Sequence, residues 1–254
     1  MKQHAKQDLI YGKRPILEAL SSGMKLSSIK VSETAEKDSL LDRIFEIAKN
    51  NSVKFERVPN KELKRFVDDC NFQGIVAVVA PFEYAPLSRC IENANSTFEQ
   101  CGAALIVVCD HITDVGNLGA IIRSAESVGA ACVVLPNARS ASVNSVVYKT
   151  SAGAVAHLPI VQVSNIARTL DDLKNIGFWV VGASEHADDE IWDSNLEGKI
   201  AIVLGNEEKG ISSLSLKNCD DTFKLPQRGN VSSLNVAQAS TVFMYEWVRQ
   251  NGLH

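Results

Sequence analysis

Short apolar runs of two kinds alternate along residues 1–80. Strand-like runs occur at 28–31, 53–58 and 74–80. Between them, apolar residues at helical spacing predict one helix whose first residue is Pro15 and a second across 40–48. A short third helix is expected after Asn60, which would cap it. This order predicts a small α/β unit of about 80 residues.

A longer and more regular alternation fills residues 103–254. Apolar and β-branched runs predict strands at 105–110, 131–135, 158–163, 178–183 and 200–204, with helices between them, one of them at about 143–151. Strands without polar alternation are typical of a parallel sheet covered on both faces. We therefore predict an α/β fold with a mostly parallel sheet. Ligands should bind at the C-terminal ends of the strands, in the loops after Asp110, Leu204 and Leu225.

A region at 81–102 with a different composition separates the two segments. Pro81 and Pro86 oppose helix formation, and residues 93–97 are polar and turn-prone. Leu87, Ile91 and Ala94 are nevertheless spaced for one face of a helix. The sequence is thus divided into a first domain at 1–80, a linker at 81–102 and a second domain at 103–254.

Composition limits the class of protein. The chain has 254 residues, 45% of them hydrophobic, which is ordinary for a folded domain, and no apolar run long enough to cross a bilayer. The polar N-terminus lacks the core of a signal peptide, so we expect a cytoplasmic protein without membrane contact. Six cysteines include no C-x-x-C pair, so we expect reduced thiols and no metal site.

Charge is distributed unevenly. Residues 1–80 carry 14 basic and 11 acidic side chains, while the remainder carries 12 and 19, within a net charge of −4. A net positive charge on residues 1–80, next to a net negative charge on the rest of the chain, is compatible with RNA contact by the first domain.

The common nucleotide and hydrolase motifs are absent. No G-x-G-x-x-G follows a strand, and no G-x-S-x-G accompanies a Ser/His/Asp set. Residues 205–212 have the glycine spacing of a P-loop, but Ile211 stands where the phosphate-binding lysine is required. Two adjacent carboxylates, Glu207 and Glu208, would also repel a triphosphate. NTP hydrolysis is thereby disfavoured.

Three polar loops that follow predicted strands remain as candidate sites. Their motifs are N-L-G-x-x-x-R-S-A at 117–125, L-G-N-E-x-x-G at 204–210 and L-P-x-x-G-x-V-S-S-L-N-V-A at 225–237. Taken singly, each polar side chain in them has an ordinary explanation as a helix cap, a turn residue or a surface charge. Their joint order and spacing is what indicates a site.

The three motifs together resemble those of the SpoU (TrmH-like) family of RNA ribose 2′-O-methyltransferases. The first domain resembles that family's ribosomal-protein-L30-like RNA-binding domain through residues 10–15 and 72–77, although Phe72 replaces a usual histidine. The resemblance implies a trefoil-knotted (SPOUT) parallel-sheet domain, an obligate homodimer and S-adenosyl-L-methionine (AdoMet) as cofactor. The combination is most similar to enzymes that methylate a guanosine ribose in the peptidyl-transferase region of large-subunit (23S) ribosomal RNA.

The resemblance also implies roles for individual residues. The residues implied for catalysis are Asn117, Arg123, Glu207, Ser233 and Asn235. Those implied for cofactor binding are Gly205, Leu225 and Leu234. Contacts to RNA are expected from Lys13, Arg14, Arg139 and Arg228, each of which could instead be a surface charge that aids solubility.

Arg123 is better suited to a clamp than to a base. A guanidinium keeps its proton to above about pH 12. We therefore expect it to hold the target phosphate and developing alkoxide, while the phosphate or a water takes the proton.

Three other interpretations stay open. One is a tRNA guanosine ribose methyltransferase, and another is a resistance-type enzyme that modifies a different ribosomal loop. The third, from a different class, is a non-catalytic RNA-binding ribosome-assembly factor.

Overall fold

A computed structural model describes residues 8–64, 72–229 and 233–252. The chain forms two compact units. Unit 1 comprises Met1–Glu83 together with Val143–Ala156, and unit 2 comprises Tyr84–Ser142 together with His157–His254.

Unit 1 is built on a four-stranded mixed sheet. Its strands are β1 (Leu9–Tyr11), β2 (Leu26–Ser32), β3 (Lys54–Val58) and β4 (Ile75–Val79), in the order β1-β4-β2-β3. Strand β4 runs antiparallel to β1 and β2, whereas β2 and β3 are parallel. The helices are α1 (Lys13–Ser21), α2 (Ser39–Asn50) and α3 (Asn60–Leu63). Fully buried Ile16, Ile29 and Ile44 show that the predicted apolar faces form the core.

The helix starts in unit 1 differ from the predicted ones. Gly12 has a φ of 90° and caps α1, so Pro15 is the third helical residue rather than the first. A proline fits there because the N–H groups of a helix's first turn have no acceptor within the helix. Asn60 is the first residue of α3 and Pro59 precedes it as the cap. Both helices themselves are confirmed.

A segment of the predicted second domain packs into unit 1. Helix α6 (Ser145–Thr150) is capped by Asn144, whose side chain accepts hydrogen bonds from N–H groups of the first turn. The Asp8 carboxylate accepts from the Ser145 N–H at 2.7 Å and from its hydroxyl at 2.8 Å. Tyr148 makes an edge-to-face contact with Phe82. By packing, residues 143–156 therefore group with unit 1, although they lie inside the predicted second domain at 103–254.

Unit 2 contains a seven-stranded sheet whose pairs are all parallel, as predicted. Its strands are β5 (Ala104–Asp110), β6 (Cys132–Pro136), β7 (Ile160–Val163), β8 (Trp179–Ala183), β9 (Asp189–Glu190), β10 (Lys199–Gly205) and β11 (Asp221–Lys224), in the order β7-β6-β5-β10-β8-β11-β9. The helices are α4 (Leu87–Cys101), α5 (Val115–Ser127), α7 (Ile166–Asn175), α8 (Ser213–Lys217) and α9 (Val236–Gln250).

Residues 81–102 are not a simple linker. Most of them form α4, whose buried residues Cys90 and Ala94 join the core of unit 2. The helix also pairs Cys90 with Cys132 of β6 in a disulfide across 42 residues, which corrects the expectation of reduced thiols at these two positions. Nothing in the local spacing of the cysteines indicated this pair, because it depends on how α4 packs on the sheet.

Among the residues described, no helix has both the length and the apolar content that crossing a membrane requires.

Candidate active site

A cavity of about 390 Å³ lies where the C-terminal ends of β8, β10 and β11 approach the start of α9. This is the edge of a parallel sheet at which ligands bind, and the volume is that of a small-molecule site. Its lining includes the three residues expected to bind the cofactor, Gly205, Leu225 and Leu234. Ser233, Asn235 and Glu207 line it as well.

Gly205 allows the loop after β10 to close. A Cβ on this residue would overlap the carbonyl carbon of Gly210 and the nitrogen of Ile211. Asn206 and Gly210 exchange two backbone hydrogen bonds of 2.9 Å, and Oδ1 of Asn206 accepts from the N–H groups of Glu208 and Lys209. The chain can fold back this closely only because position 205 carries no side chain.

Glu207 joins this loop to the loop after β5. Its carboxylate accepts from the N–H and hydroxyl of Thr113, the N–H of Asp114 and the amides of Asn117 and Asn206, at 3.1 to 3.4 Å. Burial by itself raises the pKa of Glu207, but hydrogen bonds from Asn117 and from backbone N–H groups outweigh it, and the pKa lies below its ordinary value. An ionised carboxylate that is a common acceptor for two loops acts as an anchor.

Asn117 and Asn235 extend this network to the third loop. Asn117 donates from Nδ2 to Glu207 at 3.1 Å and accepts at Oδ1 from Asn235 at 2.9 Å. The Oδ1 of Asn235 in turn accepts from the Ala237 N–H and caps α9. Because an ionised carboxylate only accepts, the orientation of both amides follows. The structure thus brings together three of the five residues implied for catalysis.

Arg123 and Ser233 do not join this network, and of the two only Ser233 is among the described residues that line the cavity. Arg123 lies on α5, the helix whose third residue is Asn117, and its exposed side chain has no polar partner among the described residues. Ser124 next to it bonds to Thr241 of α9 at 2.8 Å, which fixes α5 against α9. Ser233 is exposed at the cavity edge. Both side chains are available to a ligand.

Two residues that hold the loops together were not singled out from the sequence. Thr113 contributes two donors to Glu207, and Asn206 donates both to Glu207 and to the His111 carbonyl at 2.9 Å. Asn206 stands inside the second motif, so its place in the motif was an available signal. Thr113 gave none, since a threonine after a strand is common.

The residues expected to contact RNA have different placements. The side chain of Lys13 is only 9% exposed, and its ammonium donates to Asp38 at 2.6 Å and to the Glu36 carbonyl at 2.9 Å. This placement corrects the expectation that Lys13 contacts RNA, because its ammonium is already paired inside unit 1. Arg14, Arg139 and Arg228 are exposed. The described residues contain no group of three or more His, Cys, Asp or Glu side chains that could hold a metal ion.

Comparison with known proteins matches both parts of the chain. The model of the SpoU rRNA Methylase family matches residues 104–245, and that of the RNA 2′-O ribose methyltransferase substrate-binding domain matches 9–85. A Bacillus subtilis relative, named as a TrmH family tRNA/rRNA methyltransferase, is 36% identical over 243 residues. The match covers 96% of this chain and 96% of that relative. An uncharacterized tRNA/rRNA methyltransferase of Synechocystis is 37% identical over 245 residues; the match covers 96% of this chain and 63% of that relative.

Solved structures are similar over nearly the whole chain. The SpoU methyltransferase AviRb from Streptomyces viridochromogenes, solved with its cofactor AdoMet, has a TM-score of 0.74 at 27% identity, covering 98% of this chain and 92% of AviRb. An rRNA methyltransferase from Sinorhizobium meliloti has the same fold, with a TM-score of 0.72 at 21% identity over 96% of this chain and 87% of that one. Motifs, fold and relatives agree, and the chain belongs to the SpoU family of RNA methyltransferases.

Proposed function

We propose that this protein transfers a methyl group from AdoMet to the ribose 2′-oxygen of a guanosine in large-subunit (23S) ribosomal RNA. The observation that carries the proposal is the hydrogen-bonded series Asn235–Asn117–Glu207, which joins three strand-end loops beside one cavity. A solvated turn or a simple helix cap requires no such series.

The cavity fits AdoMet in size and chemistry. Leu225 and Leu234 offer apolar surface, and Ser233 and Asn235 offer polar groups at the same cavity. Gly205, which lines the same cavity, lets the loop after β10 close against Gly210 and so form part of the cavity wall. When bound, AdoMet supplies an electrophilic methyl group on a sulfonium. The chain's own contribution is to hold the reactants in line, which can lower a barrier by several kcal/mol, roughly 7 or more in favourable cases.

The 2′-hydroxyl must lose its proton as its oxygen gains the methyl group. Arg123 stays charged and has no polar partner among the residues described, so it is available to bind the target phosphate and the developing alkoxide. The proton passes to the phosphate or to a water. Glu207 and Asn117 keep the loops in place, and the NH2 group of Asn235 is directed at Asn117 rather than at a substrate.

The family's other features belong to the same proposal. We expect a homodimer, a trefoil knot in the second domain and, since the substrate is ribosomal RNA, action in the cytoplasm without a metal ion. Arg14 and Arg228 are proposed to contact RNA from their exposed positions.

The decisive experiment is mass mapping of ribose methylation in ribosomal RNA from cells with and without the gene. A single guanosine that loses its 2′-O-methyl group in the deletion strain would support the proposal. Purified enzyme should methylate an unmodified large-subunit transcript and not tRNA. Methylation of tRNA alone would replace the substrate assignment, and no AdoMet binding in calorimetry would favour a non-catalytic factor.

A further inference from the structure

A second cavity, of about 300 Å³, lies at the C-terminal ends of β5, β6 and β7. It shares no lining residue with the cofactor cavity. The two are nevertheless neighbours, because Asn206 of the cofactor cavity donates its amide to the carbonyl of His111, which lines the second cavity. Whatever occupies the second cavity therefore lies next to the proposed methyl-transfer site.

His111 is held in this cavity by a buried carboxylate. The Asp110 side chain is fully buried; its Oδ1 lies 2.6 Å from His111 Nδ1, and its Oδ2 accepts from the Ser212 N–H at 2.8 Å. Because a carboxylate oxygen accepts, the hydrogen of this bond is assigned to Nδ1. The other ring nitrogen, Nε2, is then a free acceptor on a side chain that is 38% exposed.

The backbone at this cavity is also specialised. His111 and Arg139 both line it, and both adopt left-handed backbone angles, with φ of 64° and 55°. Such angles are uncommon for residues other than glycine and concentrate at functional sites. The two loops are tied together, since the Ile112 carbonyl accepts from the Ala141 N–H at 2.7 Å and from the Ser140 hydroxyl at 3.0 Å.

The remaining lining offers donors and one cation. Arg139 is exposed and has no polar partner among the described residues, and it is the only unpaired formal charge in this lining. Helix α7 starts at the cavity wall. The cap Asn165 accepts from the Arg168 N–H, while the N–H groups of Ile166 and Ala167 have no acceptor in the described part of the chain. A cation and N–H groups at a helix start suit a phosphate.

We propose that this second cavity binds one nucleotide of the RNA substrate, next to the nucleotide that is methylated. Arg139 and the first N–H groups of α7 contact its phosphodiester, and His111 Nε2 accepts a hydrogen bond from its ribose 2′-hydroxyl. The hydroxyl contact selects RNA over DNA. This inference rests on the proposed function, since it concerns the substrate of the same reaction.

The two contacts have different experimental signatures. The probe is an unmethylated transcript of the peptidyl-transferase region, and binding to the AdoMet-loaded protein is measured by fluorescence anisotropy over a range of salt. Arg139→Asn should raise the Kd about 10-fold and reduce the salt slope by roughly 0.7 to 0.9, the value for one phosphate contact. His111→Asn should raise the Kd by about 5-fold, as for one neutral hydrogen bond, with the slope unchanged. Asparagine suits both positions because it tolerates left-handed angles.

Arg168→Gln is the matched control, since it removes an exposed arginine from the same helix α7 outside the cavity. Equal effects of Arg168→Gln and Arg139→Asn, or no effect of Arg139→Asn and His111→Asn, would overturn the subsite while the wild type still methylates RNA. Wild-type protein that neither binds nor methylates the transcript would instead contradict the proposed function. Saturable binding of inorganic phosphate that Arg139→Asn abolishes, with RNA affinity unchanged, would assign the cavity to the free anion and also overturn the inference.

Discussion

The side-chain amide of Asn235 donates a 2.9 Å hydrogen bond to Oδ1 of Asn117, across 118 residues of chain. Asn235 caps α9, and Asn117 lies in the first turn of α5, so the bond joins the starts of two helices. Because Asn117 also donates to Glu207, the third loop is positioned through the first. The three motifs therefore act as one unit, and a change in one should affect the others.

Replacing Asn117 by Asp tests this unit. The change removes the NH2 donor and places a second carboxylate 3.1 Å from Glu207, so we expect turnover to fall by roughly 100-fold, the equivalent of about 2.7 kcal/mol. Tritiated methyl transfer measures the effect. Asn175→Asp, at the exposed end of α7, is the control for the added charge. Activity of Asn117→Asp within twofold of the control would show that the network is dispensable.

Arg123→Lys separates a bidentate clamp from a simple positive charge. Lysine keeps the charge but lacks the planar pair of donors that matches a phosphate. We expect kcat to fall by at least roughly 10-fold, with AdoMet affinity unchanged in calorimetry. Near-normal turnover with unchanged RNA affinity would contradict the clamp.

The sequence predicted the parts of the site that are local. Each of the three loops follows a strand, and the strands of unit 2 read as apolar runs because they are buried on both faces. Joint motif spacing pointed to Asn117, Glu207 and Asn235, which the structure places within hydrogen-bond distance of one another in series. Periodicity alone could not predict this, because it does not give the order of the strands.

Long-range packing accounts for what the sequence did not reveal. The segment around α6 has an ordinary helical pattern, and only the Asp8–Ser145 bonds and the Phe82–Tyr148 contact place it in unit 1. Lys13 has the same difficulty: a lysine at a helix start is usually exposed, and its partner Asp38 lies 25 residues further on. Such pairs are properties of the tertiary fold.

Gly205→Ala should abolish the closed loop after β10. A methyl group there would overlap backbone atoms of Gly210 and Ile211, which cannot move aside as a flexible side chain can. We expect loss of AdoMet binding and a lower melting temperature. Gly102→Ala is the control, because it strains a left-handed residue at the end of α4, outside the cavity lining, and so reports a general loss of stability alone. AdoMet affinity equal for the two variants would mean that the loop is not required in this form.

Lys13→Met should act on stability rather than on RNA binding. The change leaves the Asp38 carboxylate without its ammonium partner and removes the donor to the Glu36 carbonyl, so the midpoint of thermal unfolding should fall. Arg14→Gln, which removes an exposed neighbour, should leave that midpoint unchanged and weaken RNA binding instead. Circular dichroism and anisotropy with the same transcript report the two quantities. The reverse pattern would restore Lys13 as an RNA contact.

The anchoring role of Glu207 predicts a specific dependence on pH. Its pKa in the folded protein lies below the ordinary value of 4.5. A lowered folded-state pKa means that the ionised carboxylate stabilises the native state fully above that ordinary value and loses this effect as the pH falls through the folded pKa.

The variant Glu207→Gln has no side-chain carboxylate at this position and so lacks this titration. The NH2 group of a glutamine would replace one of the two carboxylate oxygens. Whichever oxygen it replaces, it faces donors: Asn117 on one side, Thr113 and Asn206 on the other. The variant should therefore be less stable than the wild type at pH 7, and the difference in unfolding free energy should shrink as the pH falls below 4.5. A difference that stayed constant through this acid range, measured by denaturant unfolding of both proteins, would show that the charge of Glu207 does not hold the loops together.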